Sequence, residues 1–383
     1  MEPLLFYGGP ILTMEGEADR PQALLVQDGI MEALGTVAEL RGLSPKARLR
    51  DLGGHTLLPA FIDPHSHITA YAQTLRLCPL EEADSLEDIL RRLTEFRDRN
   101  RLAPGAWIAG FGYDHNKLRE GRHPDKFLLD AALPEHPVLL AHKSGHMGVA
   151  NSPALRLMGI DAKTPDPQGG LIARGADGEP TGYLEEAAFA AGSAAMPRPT
   201  LEELLDDLSK AQEVYFSSGI TTIQDGLTRE PEWRLLTAAA QRGLLKADVV
   251  CYLDESRCHD LLLQNRDRVG RYQDRLKLGG YKLVLDGSPQ GRTAWLSQPY
   301  ERAEDGYRGY PAYPDEAVAE YVAQAVEEGV QLLAHCNGDA ASAQFIAACR
   351  RAGAERVQAT RPVMIHAQTV RPGDQVPRMK ELG

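Results

Sequence analysis

The succession of apolar and polar positions divides the chain into stretches of different character. Between residues 4 and 57, runs such as LLFYGGPILTM and QALLVQDGIMEALG alternate around Gly-Gly and Asp-Gly pairs, and LRDLGGHTLL comes after them. Alternation at period two, punctuated by turn dipeptides, predicts short strands joined by tight turns. So few strands bury little surface, and a module of this kind is expected to pack on the remainder of the chain.

Further on, the runs become apolar with little alternation. TLLPAFIDPHSH (56–67) reads as a strand ending in polar residues. GITTIQDG (219–226), ADVVCYLD (247–254), GYKLVLDG (280–287), GVQLLAHCNGD (329–339) and RPVMIHAQ (361–368) repeat that form. Helical segments separate several of them, including EPEWRLLTAAAQRG (230–243), DEAVAEYVAQAVEEG (315–329) and DAASAQFIAACRRAG (339–353). Buried apolar strands alternating with helices that end in Gly predict an α/β fold with a parallel sheet covered on both faces. Six strands in β-α order favour a (β/α) barrel over a doubly wound sheet.

About 150 residues separate the first two of these strands, too many for a crossover connection. That interval has strand-like runs of its own (AWIAGFGYD, HPVLLAH), Gly- and Pro-rich turns, and a helical repeat at LEELLDDLSKAQEVYFSSG (201–219). We therefore assign 1–57 to a β module, 58–69 with 215–383 to the barrel, and 70–214 to an inserted lid over the barrel mouth, where long βα loops build active sites.

Composition narrows the class. The 383 residues carry 42 Lys and Arg against 54 Asp and Glu, a net charge of -12, which disfavours nucleic acid as a partner. The most basic stretch, RRLTEFRDRNR (91–101), has interleaved acids and reads as a solvated helix face. No apolar run approaches the roughly 20 residues that span a bilayer, and the start lacks a basic leader pattern. Five cysteines without CxxC spacing favour a reduced, cytoplasmic setting.

Candidate chemistry collects at strand ends. His65 and His67 form HxH, and residues two apart on a strand project to the same face. His335 closes VQLLAH and His366 closes PVMIH. Taken singly, each histidine reads more readily as a satisfied core residue; four at C-terminal strand ends suggest a metal site. Asp63 would orient one imidazole or serve a turn. Lys282 lies inside an apolar strand, where an unpaired ammonium is expensive. Either it pairs with a carboxylate such as Asp286, or its pKa falls and it becomes reactive.

These residues, with GHMGVANSPAL (145–155), TPDPQGGLIARGADGEPTGYLEE (164–186), DGSPQGRTAW (286–295), HCNGDAA (335–341) and MIHAQ (364–368), resemble the amidohydrolase superfamily. Within it, the chain is similar to amidohydrolase family 3, the branch of N-substituted formamide deformylase. The resemblance implies a distorted TIM (β/α)₈ barrel beside a small N-terminal β-sandwich. It also implies one or two divalent metal ions, usually Zn, with His65 and His67 on the more buried ion and His335 and His366 on the second. Lys282, carrying a CO₂-derived carbamate, would bridge them. A hydroxide activated by metal would then cleave a C–N bond other than a peptide bond, in an amide, N-acyl or N-formyl substrate. Alternatives at the same site are ester, lactone or imine hydrolysis, or an inert metal-binding or regulatory relative.

The family's general acid/base Asp belongs at the end of the eighth strand. Six strands are counted, and the chain stops at MKELG (379–383), where a seventh would begin. Strands seven and eight, that Asp and the closing sandwich strands are thus expected beyond Gly383. Asp339 reads instead as a helix N-cap, and Asp286 as a partner of Arg292 or a turn cap. Substrate contacts are expected from His146, Arg292, Glu186 and Tyr113; the alternatives are loop bracing for His146 and Glu186 and a surface ion pair for Arg292. The expected partner is a small amide-type substrate, and exposed sheet edges or a lid would favour a homodimer.

Overall fold

Asp-Gly at 28–29 takes the backbone that a two-residue hairpin turn requires, with φ of 51° and 81°. It joins the antiparallel strands Ala23–Gln27 and Ile30–Gly35. Leu4–Tyr7 pairs antiparallel with the first of these and parallel with Arg48–Asp51, closing a four-stranded sheet. After this hairpin the chain forms a helix, Val37–Leu43. Thr36 and Glu39 cap it reciprocally, and Leu40 completes a core with Leu5, Ala23 and Leu25.

The computed structural model describes residues 2–289, 292–303 and 305–383. By compactness the chain forms two units, Met1–Pro64 with Tyr215–Ile223, and His65–Val214 with Gln224–Gly383. The first holds the small sheet and the short strand Phe61–Ile62, which pairs in parallel with Ile220 and Thr222.

The second unit contains the predicted parallel sheet. Asp248–Asp254, Leu276–Val284, Gln331–Cys336 and Val363–His366 pair in parallel in chain order, and the strand ending at Thr228 lies next to Asp248–Asp254. Helices Glu230–Gln241, Glu255–Gln264, Asp315–Glu328 and Asp339–Ala352 separate them. A register shift occurs where Tyr252 pairs with Gly280. Gly280 has φ +148°, and a Cβ there would stand 1.9 Å from the Gln331 carbonyl oxygen, so this bulge admits glycine alone. Beyond it Lys282 falls in register with Asp254 on one side and Leu333 on the other.

The inserted segment brings a sheet of its own within this unit. Its order is Gly170–Arg174, Pro180–Glu185, Met147–Ala150, Val138–His142, Ile108–Tyr113 and Cys78–Pro79. One core, with Ile89, Leu93, Ile108, Leu129 and Val138, packs helix Leu86–Arg99 on it; another collects Leu139, Leu155, Ile172 and Leu184. The basic stretch lies on that helix, where Arg91 and Arg92 pair with Asp88 and Arg91 also reaches Glu95. Among the described residues, no helix is long and apolar enough to cross a membrane. Cys78, Cys251, Cys258, Cys336 and Cys349 are free and buried.

Candidate metal centre

Adjacent strand ends bring the predicted residues together. In the parallel register Val284 faces His335, and Cys336 faces His366, so the chemistry-bearing positions cluster at one end of the sheet. The rings of His335 and His366 lie edge-on with centroids 4.6 Å apart, and His366 meets His65 at 5.3 Å. His65 and His67 meet in the same way at 5.1 Å. His366 and Ala367 both take positive φ, 69° and 49°, so the chain turns sharply where the strand delivers its histidine.

Hydrogen bonds orient two of these rings. His65 Nδ1 donates to Gln224 Oε1 at 3.0 Å, which leaves the ring's lone pair on Nε2. His335 Nε2 lies 3.1 Å from both the Gly287 carbonyl oxygen and Asn337 Nδ2, and the tautomer that donates to the carbonyl carries its lone pair on Nδ1. Imidazoles oriented by such hydrogen bonds are what a divalent ion takes as ligands. His366 is itself exposed, and partial desolvation at the strand end lowers its pKa to about 4, with the neighbouring His335, His65, Lys282 and His67 adding to that. His65 is lowered for the same first reason.

Lys282 is 2% exposed, and its Nζ has no hydrogen-bond partner. Burial lowers its pKa to about 8. The alternative of an ion pair with Asp286 does not hold, because that carboxylate is already engaged by backbone. Asp286 accepts from the N–H groups of Trp295 (2.9 Å), Asn337 (2.9 Å) and Gly338 (2.7 Å), and His335 Nε2 stands 3.6 Å away. It does not pair with Arg292 either. Asp286 therefore holds the turn just beyond His335. Asp339 is not the N-cap of its helix, which is Gly338; its carboxylate takes Ser297 N–H at 2.8 Å and binds Arg371.

The residues expected to touch substrate have partners within the chain. His146 Nδ1 and Glu186 Oε2 are 3.1 Å apart on the exposed surface, so these two pair with each other and brace their loops. Arg292 donates to the Glu301 carbonyl at 2.7 Å and lies over the Tyr300 ring rather than in a surface ion pair. Tyr113 is fully buried, with its hydroxyl 2.9 Å from His123 Nδ1, and offers no ring surface to a substrate.

Sequence reasoning passed over Gln224 and Asp225, which hold His65 and Thr69; both sit at the polar end of GITTIQDG. It also passed over Asp114, His115 and His142, whose ligand atoms converge within 4.8 Å. The signal was the one used for the barrel, since AWIAGFGYDH and HPVLLAH are apolar runs that end in histidine.

Known proteins resemble this chain along most of its length. The amidohydrolase YtcJ of Bacillus subtilis is 30% identical over 376 residues, covering 96% of this chain and 69% of that protein. N-substituted formamide deformylase of Arthrobacter pascens is 29% identical over 358 residues, covering 89% of this chain and 64% of its own length. The chain thus spans about two thirds of these relatives. Among solved structures, an uncharacterized metal-dependent hydrolase from Pyrococcus furiosus superposes with a TM-score of 0.76 at 25% identity, covering 99% of this chain and 75% of that one. The amidohydrolase family profile matches residues 48–383, and the chain belongs to that family.

Proposed function

We propose that this chain is the metal-binding part of a hydrolase that cleaves a C–N bond in an amide, N-acyl or N-formyl compound. The observation that carries the reading is Lys282, a buried, unpartnered amine in the sheet whose strand ends gather four imidazoles. An unpaired ammonium there is destabilising, whereas a carbamate bound to cations is a stable use of the same position.

His65, His67, His335 and His366 would hold one or two divalent ions, with Lys282, as its carbamate, as a further ligand. When bound, such an ion supplies an acidified water and a Lewis acid for a carbonyl oxygen. The chain's own residues set the conditions for that chemistry. Gln224 and Gly287 fix the protons of His65 and His335 so that each ring turns a lone pair outward from its hydrogen bond. Asp286 rigidifies the 335–338 turn, and Asn337 Nδ2 reinforces it by donating to the Gly287 carbonyl at 2.8 Å. The pKa of Lys282, near 8, makes the neutral amine that reacts with CO₂ accessible at physiological pH.

Zinc reconstitution of the chain, followed by metal counting, tests the reading. We expect at least one ion to be lost in His65→Ala/His67→Ala, and hydrolysis of N-formyl and N-acyl amides in preference to matched esters. Unchanged metal content in that double variant refutes the site. Faster turnover of the esters refutes the bond assignment.

A further inference from the structure

The inserted subdomain carries another set of metal-type donors. Gly112, at φ +99°, sits at a register shift between Ile108–Tyr113 and Val138–His142, and beyond it Tyr113 stands opposite His142. A bulge of this kind re-aims the residues beyond it. Those residues are Asp114 and His115, and their ligand atoms lie with that of His142 in a set no wider than 4.8 Å.

The set is built into the interior. Asp114 and His142 are each 5% exposed. His115 Nδ1 and His142 Nε2 are buried and have no hydrogen-bond partner. Leaving two such buried atoms unmatched is destabilising, and a ligand bound to them would relieve it. His142 Nε2 is 3.6 Å from Asp114 Oδ1, too far for a strong hydrogen bond. Two donors bonded at about 2.0–2.1 Å to a tetrahedral ion stand about 3.4 Å apart, so the observed gap needs little adjustment.

We propose that Asp114, His115 and His142 form a second divalent-metal site of the zinc type, using none of the donors of the barrel cluster. Surrounding groups suit it. Once Nε2 of His142 is a ligand, its ring proton resides on Nδ1, where Ser144 Oγ at 2.9 Å accepts it. Without the ion the Ser144 N–H donates to that same nitrogen at 3.1 Å, so loading moves the ring proton and displaces Ser144 slightly. Lys143 Nζ is 2.5 Å from Asp114 Oδ2, while Oδ1 accepts from Asn116 N–H at 3.0 Å and from the exchangeable side-chain amide Asn116 Nδ2 at 3.2 Å, the bond that the ion would displace. The His123 ring stacks on His115 at 4.0 Å and is anchored by the Tyr113 hydroxyl. The ion would tie two strand ends together and steady the turn that leads to His146.

Zinc per chain, measured by mass spectrometry after dialysis, and the visible spectrum of the Co²⁺ form test this on the whole chain. We expect His115→Gln/His142→Ala to lose one zinc and one set of cobalt bands, and His65→Ala/His67→Ala to keep that ion. The same zinc count and cobalt spectrum in the first variant overturns the proposal, as does complete loss of zinc in the second. Lys143→Met, at an exposed position, keeps the test decisive should the double variant misfold. Removing its charge should tighten zinc in a chelator competition by about tenfold, and unchanged affinity overturns the site.

Discussion

Replacing Lys282 with methionine removes a buried ammonium while keeping an unbranched, flexible chain in the same space. The side chain is 2% exposed, its Nζ is unpartnered, and burial lowers its pKa from 10.5 to about 8. Between pH 8 and 10.5 the unfolded chain holds a proton that the folded chain has released, so stability of the metal-free parent rises with pH across that window. Below pH 8 both states are protonated and the folded state bears the full penalty. The drop in pKa is worth about 3 kcal/mol. We therefore expect Lys282→Met to be more stable than the parent by about 3 kcal/mol at pH 7, with the gap closing as pH approaches 10.5. Urea unfolding in chelator and CO₂-free buffer at pH 7, 9 and 10 measures it. With zinc and bicarbonate present the order should reverse, because methionine cannot hold the ions. A variant no more stable than the parent at pH 7, or a gap independent of pH, would refute the reasoning.

Three further outcomes are expected. Asp286→Ala strips three backbone N–H groups of their acceptor and should cost at least about 3 kcal/mol in thermal or urea unfolding; a loss within about 1 kcal/mol contradicts the role given to that carboxylate. Asn151, fully buried, accepts from Val138 N–H at 2.9 Å and Ala154 N–H at 3.1 Å and donates to the His136 carbonyl at 2.8 Å. Its replacement by alanine removes a helix cap and a strand tie together and should cost about 2–4 kcal/mol, read from the same unfolding curves. Burial, with Glu328 adding, raises Glu255 to about 9. The unfolded chain gives up this proton near pH 4.5 and the folded chain keeps it, so stability falls as pH rises from 4.5 to 9, and Glu255→Gln should flatten that slope.

The parallel sheet was legible because both its faces are buried, and such strands write themselves as uninterrupted apolar runs. GYKLVLDG and VQLLAHC needed no partner to be recognised. The clustering of His65, His335 and His366 came from the rule that parallel strand ends share one edge. What escaped was set by tertiary contact. Asp286 resembled an ion-pair partner, yet the turn at Asn337 and Gly338 returns to it and claims both its oxygens with backbone. Asp339 has the composition of an N-cap, but Gly338 caps the helix while Ser297 and Arg371 take the carboxylate. In the small module, read as strands throughout, the Thr36–Glu39 capping box sets a helix over Val37–Leu43. His146 and Glu186 are 40 residues apart, and nothing local indicates that each is the other's partner.

An anomalous difference map at the zinc edge, from crystals of the zinc- and bicarbonate-soaked chain, tests the central claim most directly. We expect a peak within bonding distance of His65 and His67, adjoining density that extends from Lys282 Nζ, and His335 and His366 around the same centre. Zinc bound elsewhere with no peak among these five residues, under full loading, would contradict it.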